Sequence, residues 1–302
     1  MPPTEFNMNK MTREYQRNYN RRKVILSFKQ FLDLVSKDTK KHLRDAANYI
    51  VDTFDYYQSN TPEYVDLIHI KRFNLFDMKT ERNGPIIGGE QVQNEIYHYL
   101  NKFKKNGYAD KLVLLHGPNG SAKTTTIEKI SHAMEQYSQL NEGAIYKFNW
   151  IFPSDKELSP NTTNTTTTLG FDKSQDSPYS KSFAFLEENK ILSKIDSEYR
   201  ENPLFLIPKE YRNEILRGWI SKEDEIPSHI LANGLSKKNQ QIFECLLNAY
   251  KGDLEKVYQH VQVERFFFSS QYRVGISCIE PKMSADAAEK QLTMDKNYLT
   301  LP

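Results

Sequence analysis

Apolar residues recur at helical spacing in the first part of the chain. Over residues 43–54 they fall three and four positions apart, which places them on one face of a helix. A helix before it is predicted to begin after Ser27, because Ser27 and Gln30 have the spacing of a capping box. These two helices predict a small helical module over residues 24–80, whereas residues 1–23 are basic without an apolar period and predict a mobile arm.

Later segments alternate between helical and strand patterns. A helix is predicted after Gly89, and further helical patterns cover 123–137, 183–192, 208–219 and 236–251, with a short one from residue 253. Strands rich in Val, Ile and Phe are predicted at 261–269 and 274–279. Residues 159–178 are almost entirely polar and predict a flexible surface insertion.

A strand, a loop, a helix and a strand follow one another in the middle of the chain. Leu112 to Leu115 is an unbroken apolar run, typical of a buried parallel strand, and residues 144–152 predict a second strand after the helix. This order is that of a βαβ unit. The sequence therefore predicts an α/β fold class with a three-layer core of helices around a sheet.

Composition excludes several classes of protein. The 302 residues carry 41 Lys and Arg against 39 Asp and Glu, a net charge of +2, which does not indicate a dedicated polyanion binder. No run approaches the roughly 18 apolar residues of a membrane span, and the first residues lack the apolar segment of a signal peptide, so a soluble cytoplasmic protein is expected. Cys245 and Cys278 stand alone, which supports neither a disulfide framework nor a zinc site.

The strongest functional signal is a phosphate-loop motif, which reads GPNGSAKT over residues 117–124. Such a loop directs backbone N–H groups at phosphates, and the helix after it adds the positive end of its dipole. Lys123 is expected at the β- and γ-phosphates and the Thr124 hydroxyl at a magnesium ion. Ala122 stands where glycine is usual, which costs little if this residue already belongs to the first helical turn. The candidate nucleotide contacts in this region are Gly117, Pro118, Asn119, Gly120, Ser121, Ala122, Lys123, Thr124 and Thr125.

The order of these features resembles the N-terminal AAA+ region of the PrkA family of serine protein kinases. The resemblance extends from about Phe31 to Pro302, and its most specific parts are PIIGGEQVQNEIYHYL (85–100), LVLLHGPNGSAKTTTIEKI (112–130), LFLIPKEYRNEIL (204–216) and HVQVERFFFSSQYRVGISCIEPKMSADAAEKQLT (260–293). It implies a P-loop NTPase core of AAA+ type over 81–302, with an adenine pocket that includes Ile87 and Gly88. Arg265 and Arg273 lie in the fourth stretch, where structural ion pairing is favoured over a contact with phosphate.

The resemblance also implies an activity and its partners. The expected reaction is transfer of a phosphoryl group from ATP, with Mg²⁺, to serine or threonine of a protein substrate. The family pattern continues beyond residue 302 into an acidic Walker B strand, so this chain alone is expected to turn ATP over poorly. A homo-oligomer and a second chain that supplies the missing C-terminal half are the candidate partners. No catalytic residue is assigned.

Two other functions fit a phosphate loop. One is an AAA+ ATPase that drives protein remodelling or proteolysis, and the other is a nucleic-acid-dependent ATPase that uses the basic arm. The balanced charge of the chain argues against the nucleic-acid function.

Overall fold

The computed structural model describes residues 8, 12–13, 24–59, 63–65, 68–80, 83–107, 109, 111–154 and 182–277. Most of the predicted arm, the whole predicted insertion at 159–178 and Cys278 lie outside these residues. The chain divides into two compact units, Met1–Phe267 and Phe268–Pro302. The module boundary near residue 80 stays a prediction.

Strands in the described part of the chain form one main sheet and one hairpin. They are β1 (Ile25–Ser27), β2 (Glu63–Val65), β3 (Ile68–Ile70), β4 (Ile145–Pro153), β5 (Ile191–Asp196) and β6 (Val261–Phe266). The main sheet has the order β1-β6-β4-β5, and each neighbouring pair in it is antiparallel. Trp150 of β4 lies opposite Val261 of β6, and both side chains are fully buried. The strands predicted at 144–152 and at 261–269 are confirmed, the second over the shorter range of β6.

Helices follow the predicted apolar spacing closely. They are α1 (Phe28–Lys37), α2 (Thr39–His42), α3 (Ala46–Tyr56), α4 (Glu90–Asn106), α5 (Lys123–Gln139), α6 (Lys209–Arg217), α7 (Ser228–Ala232), α8 (Lys237–Ala249) and α9 (Leu254–Gln259). The capping box is confirmed, because the Ser27 N–H donates to the Gln30 side chain at 2.9 Å and the Gln30 N–H donates to the Ser27 hydroxyl at 3.3 Å.

The helix predicted at 183–192 is wrong. Short 3₁₀ turns occupy Phe183–Phe185 and Glu188–Lys190, and β5 begins directly after them. The free edge of β4 offers a row of backbone donors and acceptors, and β5 satisfies them by pairing from Asn149 to Pro153. Sheet pairing therefore decides the structure here, and the helical spacing of the apolar side chains does not.

The fold is mixed α/β, but the buried parallel strand predicted at 112–115 is wrong. Leu112 is 89 % exposed and Leu114 is 79 % exposed, and the segment has no regular secondary structure. Among the described residues no backbone hydrogen bond joins it to a strand. The two inner strands of the sheet, β4 and β6, already have a partner on each side, so the central position that the prediction required is taken.

Two apolar cores hold the first unit together. The larger joins α1 to the sheet and to the helices after residue 200, with Phe28, Phe148 and Trp150 among its buried members. The smaller joins α3, α4 and α5 through Phe54, Ile96 and Ala133. Residues before and after position 80 therefore share both cores.

The second unit is described over residues 268–277. Ser269 and Val274 form an antiparallel bridge across a turn, which confirms the turn predicted between the last two strands. The strand predicted at 274–279 is not found beyond Val274, because residues 275–277 have no strand structure, and residues 278–279 lie outside the described residues. No helix in the part of the chain that the structure describes is long and apolar enough to cross a membrane.

Candidate phosphate-binding site

The loop before α5 has the backbone of a tight, glycine-dependent turn. Gly120 has φ +83°, a left-handed conformation that glycine adopts without steric cost. A Cβ atom at Gly117 would lie 2.9 Å from the Ser121 hydroxyl oxygen, so the first position of the motif has no room for a side chain unless Ser121 moves. The Ser121 hydroxyl donates to the Pro118 carbonyl at 2.8 Å and closes the turn.

Ala122 does not belong to the first helical turn. It is the residue before α5 and has φ +58° and ψ 19°, in the left-handed region. A residue with a Cβ atom pays roughly 1–2 kcal/mol there, whereas glycine does not. Alanine would be neutral at this position only within the first helical turn. Because Ala122 lies before the helix, alanine costs stability here relative to glycine.

Lys123 folds back over the loop. Its ammonium group donates to the carbonyl oxygens of Gly117 at 2.8 Å and Pro118 at 2.7 Å, and to the Ser121 hydroxyl at 3.1 Å. The motif residues 118–121 around it are exposed. The structure thus brings the positive charge of Lys123 and the backbone of the loop together at the surface.

The first turn of α5 presents donors that find no acceptor in the described part of the chain. Helix α5 has no side-chain cap. Its first backbone hydrogen bond runs from the Thr126 N–H to the Ala122 carbonyl at 2.8 Å. The N–H groups of Lys123, Thr124 and Thr125 have no acceptor among the described residues. A helix of 17 residues with free N–H groups at its start carries a partial positive charge there, which attracts anions.

A buried lysine fixes the middle of α5. Lys129 is 0 % exposed, and its ammonium donates to the carbonyl oxygens of Met78 and Asn83, the latter at 3.2 Å. Burial lowers the pKa of Lys129. The Asn83 side chain donates to the Glu128 carboxylate, so the segment before α4 is fastened to α5 at two neighbouring residues. The sequence analysis missed Lys129, although it precedes the buried Ala133 by four positions and so lies on the buried face of the helix.

Two arginines fix the far end of α5. Arg44 donates to the Tyr137 hydroxyl at 3.1 Å and to the Glu142 carbonyl just beyond the helix at 3.0 Å. Arg265 donates to the carbonyls of Ser138 at 3.0 Å and Leu140 at 2.6 Å. Cations at a helix C-terminus satisfy its free carbonyls and complement its dipole. Arg265 thus has a structural partner, as the sequence favoured, although the partner is backbone rather than a carboxylate.

The segment with the predicted adenine contacts packs on the smaller core, which α5 also joins. The Ile86 N–H donates to the Phe76 carbonyl at 2.9 Å, and the Ile86 side chain packs on the core that also takes Leu115 and Ile130. Ile87 is 94 % exposed, and Gly88 has φ +84°. No contact between described residues brings Ile87 or Gly88 against the loop at 117–124, so their role stays a prediction.

The residues at the loop fit a phosphate better than a metal ion. The Thr124 side chain is exposed at the start of α5, where its hydroxyl is accessible to a ligand. No group of His, Cys, Asp and Glu side chains in the described ranges could hold a metal ion. Thr124 is therefore the one predicted metal contact at the loop.

Comparisons of the chain with known protein families, with curated proteins and with solved structures found no match. The site is therefore interpreted from its own geometry.

Replacing Ala122 by glycine should stabilise the protein by up to about 1 kcal/mol, because glycine relieves the left-handed strain at φ +58° and the more flexible unfolded chain offsets part of the gain. The free energy of unfolding is measured by urea denaturation. Ala249→Gly is the control, since Ala249 is an exposed helical residue of α8, where glycine should cost several tenths of a kcal/mol. Equal losses of stability in both variants would show that Ala122 is not strained.

Proposed function

We propose that the loop at 117–124 binds the phosphates of ATP, with Mg²⁺, in a serine protein kinase of PrkA type. One observation carries the nucleotide part of this proposal. The Lys123 ammonium lies within the loop, next to the free N–H groups that begin α5, and both face solvent. A lysine charge and oriented backbone donors at one helix N-terminus are the groups that recognise a polyphosphate.

Lys123 can bind a phosphate without leaving the loop. An ammonium group has three donors, and two of them are held by the carbonyls of Gly117 and Pro118. The third donates to the Ser121 hydroxyl at 3.1 Å, the longest of the three contacts, and can pass to a phosphate oxygen. The two carbonyls then keep the charge in position while the ligand enters.

The remaining groups have separate tasks. The N–H groups of Lys123, Thr124 and Thr125 would hold a phosphate oxygen against the positive end of α5. The Thr124 hydroxyl would contribute one ligand to Mg²⁺, which keeps most of its coordination as water and phosphate oxygen. The exposed side chain of Ile87 would offer an apolar surface to the adenine ring. Bound ATP supplies the γ-phosphoryl group.

The kinase part of the proposal rests on the resemblance to the PrkA family. Phosphoryl transfer depends almost entirely on positioning and on neutralising charge, so a loop that holds the β- and γ-phosphates serves a kinase and a remodelling ATPase equally well. No contact among the described residues favours remodelling. The two reactions differ in where the γ-phosphate goes.

Lys123→Ala should weaken ATP·Mg binding at least tenfold, because it removes the charge nearest the phosphates and leaves the fold unchanged. Isothermal titration calorimetry with the 302-residue chain measures the affinity. Lys111→Ala is the matched control, since Lys111 is an exposed lysine in the segment before the loop, and it should bind ATP like the unmodified protein. Equal affinity of the Lys123→Ala variant and the unmodified protein would refute the phosphate site.

Because this chain alone is expected to turn ATP over poorly, incubation with γ-labelled ATP should place label on protein only slowly, and Lys123→Ala should abolish the transfer. The label is followed by gel electrophoresis for protein and by chromatography for free phosphate. Release of label only as free phosphate, with ATP binding intact, would contradict the kinase assignment and favour a remodelling ATPase. Stimulation of that release by DNA or RNA would instead indicate a nucleic-acid-dependent enzyme.

A further inference from the structure

A small basic cavity lies at the opposite end of α5 from the phosphate loop. Its volume is about 160 Å³, and Lys41, Arg44 and Arg200 line it. No carboxylate is among its lining residues. Arg44, which lines it, also donates to Tyr137 in the last turn of α5, and a helix of 17 residues separates its two ends by about 24 Å. The cavity is therefore distinct from the loop at 117–124.

The fold itself explains one of these three cations. Arg44 forms an ion pair with Asp52 at 3.1 Å and donates to the end of α5 through Tyr137 and the Glu142 carbonyl. Arg265 lies close behind and caps the last carbonyls of the helix. Neither of these two arginines requires a ligand.

Lys41 has no such explanation. It is half-buried, and its ammonium makes no hydrogen bond or ion pair in the described part of the chain. Burial lowers the pKa of Lys41, and the charges of Arg44 and Arg265 add to this effect, while Asp38 and Glu142 oppose it without forming an ion pair. A half-buried cation that lacks a partner has lost part of its hydration without compensation.

Arg200 is a second half-buried cation for which the fold gives no structural reason. Its side chain is half-buried and has no hydrogen-bond or ion-pair partner among the described residues. Its backbone has φ +49°, a left-handed conformation that is uncommon for a residue with a side chain. Such strain is often found at functional sites, where the surrounding structure holds it in place.

One hydrogen bond sets Arg200 opposite Lys41. The Asn202 side chain donates to the His42 carbonyl at 3.3 Å, and these residues are close neighbours of Arg200 and Lys41 in the chain. The Arg200 N–H donates to the Ser197 carbonyl at 3.1 Å and fixes the turn that follows β5. The two unpartnered cations are thus fixed by backbone contacts on both sides of the cavity.

We propose that this cavity binds a phosphate group, held between Lys41 and Arg200 with Arg44 behind it. Two cations without a partner among the described residues match the double charge of phosphate, and a guanidinium can bind two of its oxygens at once. A volume of about 160 Å³ is well below the range of roughly 300–1,000 Å³ for small-molecule pockets, so the cavity suits a single phosphate group better than a whole nucleotide. The group is either inorganic phosphate or the end of a phosphate monoester.

Calorimetry in the Lys123→Ala variant reduces the contribution of the loop, because that variant lacks the side-chain charge that the loop offers to a phosphate. Inorganic phosphate is titrated at low ionic strength, with chloride held constant, and O-phosphoserine is titrated in parallel as a monoester. We expect one phosphate to bind per chain. Adding Lys41→Gln and Arg200→Gln should weaken binding at least tenfold. The control adds Lys37→Gln and Arg217→Gln instead, which remove the same charge from exposed positions and should leave binding unchanged.

The thermal midpoint provides a second test that does not depend on the affinity. Without phosphate, the Lys41→Gln and Arg200→Gln changes should not lower the midpoint, because the cations make no stabilising pair. Phosphate should raise the midpoint of the Lys123→Ala protein and not that of the combined variant. Tighter binding of O-phosphoserine would identify a monoester site, and tighter binding of inorganic phosphate a free-anion site.

Three results would overturn the proposal. They are absence of phosphate binding to the Lys123→Ala variant, equal binding after Lys41 and Arg200 are replaced, and a lower midpoint of the combined variant in phosphate-free buffer. The last result would show that the two cations are structural.

Discussion

The guanidinium group of Arg44 is the contact on which the position of α5 depends. It pairs with Asp52 of α3, donates to the Tyr137 hydroxyl of α5 and donates to the Glu142 carbonyl in the segment that leads to β4. Its carbon also lies 5.0 Å from the centre of the Tyr49 ring. Only a planar group with several fixed donors can serve three segments at once, so lysine could not replace it. Through this contact the first helices, α5 and the central strand form one body.

The two ends of α5 differ in whether their backbone polar groups have partners among the described residues. The C-terminal end is covered by Arg44 and Arg265, which satisfy carbonyls and the negative end of the dipole. The middle is fixed by the buried ammonium of Lys129. The N-terminal end has N–H groups without an acceptor among the described residues, and the charge of Lys123 lies beside them. A helix supported at its middle and far end can leave its positive end open to a ligand without losing its position.

The sequence predicted the local structure well and the sheet poorly. Apolar spacing located α3 and α5, and the capping box located the start of α1, because these signals depend on neighbours within a few residues. The strand prediction at 112–115 is wrong because an apolar run has the same sequence pattern whether or not the sheet has a free position for another strand. The antiparallel order requires β1 to pair with β6, more than 200 positions later, and no local pattern specifies that.

In the candidate site, too, the sequence predicts what depends on neighbouring residues and misses what depends on distant ones. Its motif is read directly from residues 117–124, and in the structure Lys123 contacts Gly117 and Ser121. The conformation of Ala122 could not be read in this way, because its left-handed backbone depends on where the helix begins. The supports at Lys129 and Arg44 depend on segments far away in the chain, so only the folded structure reveals them.

Hydrogen–deuterium exchange with and without ATP·Mg tests the central claim most directly, that the free N–H groups at the start of α5 bind phosphate. Amide exchange in peptides that cover residues 119–126 should slow when ATP·Mg is added, since these N–H groups then gain acceptors, while peptides of β4 should exchange as before. Unchanged exchange over 119–126 at saturating nucleotide, or protection confined to other segments, would contradict the account.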